Sequence, residues 1–149
     1  MRLVIGVGNP DRGDDAVGLA VARKLRDEAP PGVTVRELDG DQLTLLDAWD
    51  GADEVWIVDA VWSGGPPGAI YRFDASRQLG ARFRQRGTHT FSLCEVIELA
   101  RALRRLPPRL DGCGIEGASF ALGAGLSPEA EEAVRAVTGQ ILGELTGGG

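Results

Sequence analysis

The sequence has 149 residues, of which 43% are hydrophobic and 26% charged, with a formal net charge of -6 and an isoelectric point near 4.8. That length suits one domain with its own core, and the composition excludes a disordered or membrane-embedded chain. A negative field repels phosphate backbones, which argues against a nucleic-acid partner.

Arg2 to Gly8 is a short β-branched run closed by Gly8, Asn9 and Pro10, the pattern of a buried strand feeding a turn. Asp15 to Glu28 places Val17, Val21, Ala22 and Leu25 on one helical face, and Pro30-Pro31 ends that helix. Val33 to Leu38 is a second strand. After the Asp39-Gly40 turn, Asp41 to Trp49 is a short helix. Glu54 to Val61 (EVWIVDAV) carries large apolar side chains on both faces and is expected at the centre of a sheet. Residues 63–68 (SGGPPG) form a loop, and Ala69 to Asp74 a further strand.

Ala75 to Thr88 is polar and weakly patterned, as expected of a long loop that moves. Thr90 to Leu106 has helical period through Leu93, Val96, Ile97, Ala100 and Leu103, with Pro107-Pro108 as its stop. Leu110 to Glu116 is a last strand. Ser127-Pro128-Glu129 then starts a final helix with Ser127 as N-cap, and the Gly147-Gly148-Gly149 tail is expected to fray. Strands alternating with helices over a single domain, 1–149, predict a three-layer α/β/α sandwich around a mostly parallel sheet of about five strands. Sites in such sheets gather at the carboxyl ends of the strands.

The opening MRLVIGVGNP has too short an apolar run for a signal peptide. No segment approaches the roughly 18 apolar residues of a membrane span. A cytoplasmic monomer that engages neither membrane nor nucleic acid is therefore expected. Cys94 and Cys113 lack metal-type spacing and make a poor disulfide framework, so they are expected as buried apolar residues. Arg82, Arg84, Arg86, Arg101, Arg104, Arg105 and Arg109 crowd one stretch whose acids before Asp111 are only Glu95 and Glu98. That pattern is a solvated face, or else a docking surface for an acidic partner.

Three places bear chemistry. The segment 6–15 (GVGNPDRGDD) follows a strand and opens a helix, but Asp11 stands where a dinucleotide fingerprint needs its third glycine, and two carboxylates there repel a pyrophosphate. Asp14 is read as a helix cap. Asp59 lies inside VWIVDAV, where an unpaired carboxylate is costly, so it either caps backbone at the strand end or binds a cation. His89 is the only histidine; alone, a histidine is more often a structural hydrogen-bonder than a ligand. Asp15, Asp59 and His89 together, brought to one edge of the sheet, form a mixed oxygen and nitrogen set suited to a borderline divalent ion such as nickel or zinc. Nucleophilic serine or cysteine is not indicated, since no G-x-S-x-G occurs and Cys94 falls on an apolar helical stripe.

GVGNPDRGDDAVG, followed by LDG at 38–40, VDA at 58–60 and a lone Thr-His before an apolar helix, resembles the hydrogenase maturation protease family in order and spacing over nearly the whole chain. The resemblance implies an endopeptidase that removes the C-terminal extension of a nickel-loaded nickel-iron hydrogenase large-subunit precursor. It implies Asp15, Asp59 and His89 as ligands of nickel supplied by that precursor, with zinc or cadmium as substitutes. It also implies a role for Asp39 in cleavage or substrate handling. Asp15 stands where the family has Glu or Asp, and Gly87 replaces a common serine two residues before the histidine. GVGNP also resembles the opening of bacterial peptidyl-tRNA hydrolase, but that enzyme needs an early histidine, and none precedes His89 here. A nucleotide- or metal-binding module without peptidase activity is the remaining alternative.

Overall fold

The computed structural model describes residues 1–76 and 93–147. The opening run forms β1 (Arg2–Val7), which leads through a 3-10 turn (Gly13–Ala16) into α1 (Val17–Glu28). β2 (Val33–Leu38), α2 (Gln42–Trp49) and β3 (Glu54–Val61) follow. Then come β4 (Ile70–Asp74), α3 (Leu93–Ala102), β5 (Arg109–Glu116) and α4 (Pro128–Gly147). The strands form one sheet in the order β2-β1-β3-β5-β4. β1 pairs in parallel with β2 and β3, and β3 with β5; only β4 runs antiparallel, against β5.

The expected architecture holds, with a core on each face of the sheet. Ile5, Val7, Ile57 and Val61 pack with Leu45, Leu46 and Trp49 of α2 and Leu93, Val96 and Ile97 of α3. On the opposite face, Val4, Val58, Ala60 and Ile115 pack with Val17, Val21 and Leu25 of α1 and Val134, Val137 and Ile141 of α4. β3 is central because both of its faces are covered, which is why EVWIVDAV has no polar alternation.

β4 reverses direction for a reason of length. The loop after Val61 leaves from the carboxyl end of β3, and eight residues are too few for the crossover a parallel strand requires. Close approach of α1 to the sheet depends on glycine. A Cβ on Gly18 would stand 2.3 Å from the Val58 carbonyl oxygen and 2.4 Å from that of Val7.

The first helix differs from its sequence expectation. Regular α-helix begins at Val17 rather than Asp15, and neither Arg12 nor Ala16 supplies a side-chain cap. Gly13 takes a φ of 53°, which side-chain-bearing residues rarely adopt, and the chain turns inward there so that Asp14 points into the protein. Among the described residues, no helix is long and apolar enough to cross a membrane.

Candidate functional site at the carboxyl edge of the sheet

The strand order switches direction between β1 and β3: β1 proceeds outward to β2, whereas β3 lies on its other side. In open α/β sheets, ligands settle outside the carboxyl ends of the strands at such a switch. Asp15 follows β1 in the 3-10 turn, which packs against β3. Asp59 is next after Val58, and Val58 is the register partner of Gly6 on β1. The two acids therefore flank the switch point.

Their environments differ. Asp59 is 4% exposed and accepts the Ala60 N–H at 2.7 Å through Oδ1. Pleating puts it on the same face as Ile57 and Val61, the face covered by α2 and α3. Asp15 is half-buried and accepts the Asn9 N–H at 3.0 Å through Oδ2. Burial raises its pKa above the usual carboxylate value, opposed by the Asn9 hydrogen bond and by the Arg12 charge.

Asp39 sits at the same edge, just beyond β2. It is exposed, and its Oδ1 accepts the Asp41 N–H at 3.0 Å, so it shapes the turn in which Gly40 takes a φ of 96°. Asp41 caps α2 through the Thr44 N–H at 3.0 Å. His89, together with Gly87, lies outside the described residues, as do Arg82, Arg84, Arg86, the expected loop from residue 77 onward, and the final two glycines. Among the described residues, no three His, Cys, Asp or Glu side chains converge as a metal site. Two oxygen donors at one sheet edge, one of them deeply buried, fit part of the donor set a divalent cation needs.

Two further carboxylates at this end have roles that sequence reasoning missed. Asp14 is fully buried and caps no helix: it accepts the N–H groups of Ala118 at 2.8 Å and Ser127 at 2.7 Å, and the Ser127 hydroxyl proton at 2.7 Å. Glu116, 1% exposed at the end of β5, accepts the Ser63 N–H at 2.8 Å, the Tyr71 hydroxyl at 3.1 Å and the Ser63 hydroxyl. Glu116 thereby fastens the loop that leaves β3 just after Asp59. Its signal was available, since a carboxylate closing the buried end of a strand is the same pattern that singled out Asp59. Beside these loops, Trp62 and Phe120 pack with ring centroids 5.1 Å apart, and Trp62 remains 49% exposed.

The cysteines are as expected. Both are buried and outside any disulfide, and burial pushes their thiols up, Cys94 to about 11 and Cys113 to about 12. Neither thiol is primed as a nucleophile. Of the arginines, Arg105 pairs with Asp47 and Arg109 with Glu54, toward the amino end of the sheet and away from Asp15 and Asp59. A cleft of about 560 Å3 at that far end is lined by Arg2, Glu54, Asp111 and Glu144, whose charges are engaged with one another or with Arg72 and Arg109.

Fold and site together define a three-layer α/β/α protein that carries its acidic groups at the switch point of a mostly parallel sheet. The model of the hydrogenase maturation protease family matches residues 19–144. The Pyrococcus furiosus protein FrxA is 32% identical over 127 residues, which is 82% of this chain and 88% of that one. The chain belongs to the hydrogenase maturation protease family, and so is a hydrolase of the endopeptidase class. Among solved structures, it is similar to the hydrogenase maturating endopeptidase HybD from E. coli, with 26% identity and a TM-score of 0.74 over 100% of this chain and 94% of that one. The [NiFe] hydrogenase maturation protease HybD from Thermococcus kodakarensis aligns at 25% identity with a TM-score of 0.71, covering 95% of this chain and 97% of that one.

Proposed function

We propose that this endopeptidase removes the C-terminal extension of a nickel-iron hydrogenase large-subunit precursor that already carries nickel, and that the nickel is the feature it recognises. Asp15, Asp59 and His89 bind that ion. The observation that carries the reading is that the turn bearing Asp15 packs against β3, the strand bearing Asp59, so that the two acids flank one switch point from segments more than forty residues apart. His89 is taken as the third ligand from the family resemblance; in the sequence it stands shortly before α3, the helix that covers the face bearing Asp59.

In this scheme the metal arrives with the substrate, and the protein's contribution is position. Two carboxylates and an imidazole fix the ion, and the ion fixes the adjoining peptide, which removes the cost of orienting a flexible tail. Asp39 flanks the ion from the β2 side and handles the chain being cut. The buried thiols stay protonated and take no part.

The test is incubation with precursor made with nickel and with precursor made without it, following loss of the tail by mass. Cleavage of the nickel form alone is expected, and an Asp59→Asn, His89→Ala variant is expected to cut neither. Equal cleavage of both forms by the wild type overturns the nickel reading; equal cleavage by wild type and variant overturns the ligand assignment.

A further inference from the structure

We infer that Asp14 is the positioning residue for Asp15: its buried carboxylate locks the 3-10 turn so that the neighbouring acid is held at the rim in a fixed orientation. The inference rests on the reading of Asp15 as a ligand.

The two acids face opposite ways. Asp14 is fully buried toward the loop after β5, whereas Asp15 is half-buried and turned to the Asn9 amide. A 3-10 turn of four residues has little ladder of its own to resist rotation. What holds it comes from residues far along the chain. The Asp14 N–H donates to the Ser119 carbonyl at 2.9 Å, and the carboxylate receives three donors from Ala118 and Ser127. Ser127 Oγ in turn accepts the Ala130 N–H at 3.2 Å, which ties Asp14 to the positive amino end of α4.

The space around the turn is as tight as its hydrogen bonding. A Cβ on Gly13 would stand 2.6 Å from the Ser119 carbonyl oxygen, and one on Gly117 would stand 3.2 Å from the Asp14 Cβ. With both faces of the turn seated, the Asp14–Asp15 peptide has one available orientation, and Asp15 inherits it.

Only a carboxylate satisfies this arrangement. The two backbone donors reach different oxygens, Ser127 on Oδ1 and Ala118 on Oδ2. After Asp14→Asn, either placement of the amide sets its NH2 against one of those N–H groups. The side chain keeps its size, and the turn loses its seat.

The test uses the full chain with cadmium as probe and Asp15→Asn as reference. Val134→Ala, a core truncation in α4 away from the turn, serves as the control for general loss of stability. Cadmium affinity is measured by calorimetry, and exchange of the Asn9 amide, which donates to Asp15, by NMR. Asp14→Asn is expected to weaken cadmium binding about tenfold and to speed Asn9 exchange about tenfold, with Val134→Ala near wild type in both. Where Asp15→Asn weakens cadmium binding, wild-type affinity in Asp14→Asn, or an equal loss in Val134→Ala, overturns the inference. Where Asp15→Asn leaves cadmium binding intact, the ligand reading has failed instead. Asn9 exchange then decides: faster in Asp14→Asn alone upholds the positioning role, and unchanged or equally fast in the control overturns it.

Discussion

Ser127 gives Asp14 both of its protons, the backbone N–H at 2.7 Å to Oδ1 and the hydroxyl at 2.7 Å to Oδ2, across a separation of 113 residues. The same hydroxyl oxygen caps α4 through the Ala130 N–H. One side chain thus closes the start of the last helix and hydrogen-bonds a buried acid near the start of the first. Ser127→Ala loses both hydroxyl contacts and is expected to cost about 0.5–2 kcal/mol, the range for a lost N-cap. Ser127→Thr keeps the hydroxyl and should recover most of it. Urea midpoints of the three proteins check the ordering; a Thr variant as unstable as the Ala variant would point to packing rather than hydrogen bonding.

Gly18 carries a stricter requirement. Its Cα faces the carbonyls of Val7 on β1 and Val58 on β3, and an added methyl meets both below 2.5 Å. Helix propensity favours alanine over glycine by about 1 kcal/mol, yet Gly18→Ala must push α1 off the sheet, with an overpacking cost of about 1–3 kcal/mol or more. Net destabilisation is the expected outcome, read by thermal melting. A rise in Tm would show that α1 is not seated against these carbonyls.

Most of the architecture was legible because it repeats a local pattern. EVWIVDAV announces a strand covered on both sides, and the 3.6-residue spacing of Val17, Val21 and Leu25 announces the face that covers it. The orientation of β4 was not announced, since it depends on the shortness of one loop and on which neighbour lies free. Asp14 shows the limit most plainly. Two acids ahead of an apolar helix satisfy the rule for capping, but the positive φ at Gly13 turns the first of them inward, toward partners more than a hundred residues away. Asp59 stood out because a carboxylate in an apolar strand demands a reason. Glu116 made the same demand, hidden by the glycines around it in DGCGIEG.

Acid should loosen the junction of β4, β5 and α4. For Glu144, burial raises the pKa, but hydrogen bonds from Arg72 at 2.8 Å and the Trp56 indole N–H at 3.0 Å outweigh it and leave the carboxyl below its ordinary value. A depressed folded pKa means stability that is complete above the unfolded value of 4.5 and is lost as pH falls from there through the folded value. Asp111 runs the other way: burial lifts its pKa despite Arg72, so its protonation in acid gives a little stability back. With Glu144 partly exposed, its share is a few tenths to about 1 kcal/mol. Melting temperatures between neutral pH and pH 3 should therefore fall less steeply in Glu144→Gln than in the wild type. Parallel curves would remove Glu144 from the acid response.

The sharpest separation of fold from function is expected at Asp59. Asparagine keeps an oxygen to accept the Ala60 N–H and is close in volume, so the described hydrogen bond survives Asp59→Asn while the negative charge does not. The substitution keeps the size of the side chain and this acceptor, so the change in unfolding free energy is expected to be small beside the change in cleavage. On the proposed reading of Asp59 as a metal ligand, tail removal is expected to depend on the charge, because an ion held by one fewer carboxylate would neither stay nor orient the peptide, and a misplaced scissile bond costs on the order of 100-fold in rate. Chemical denaturation and single-turnover cleavage of the nickel-loaded precursor, run on the same preparation, check the pair of outcomes. A variant that unfolds easily yet cleaves normally would make Asp59 a structural cap and move the chemistry elsewhere on the rim.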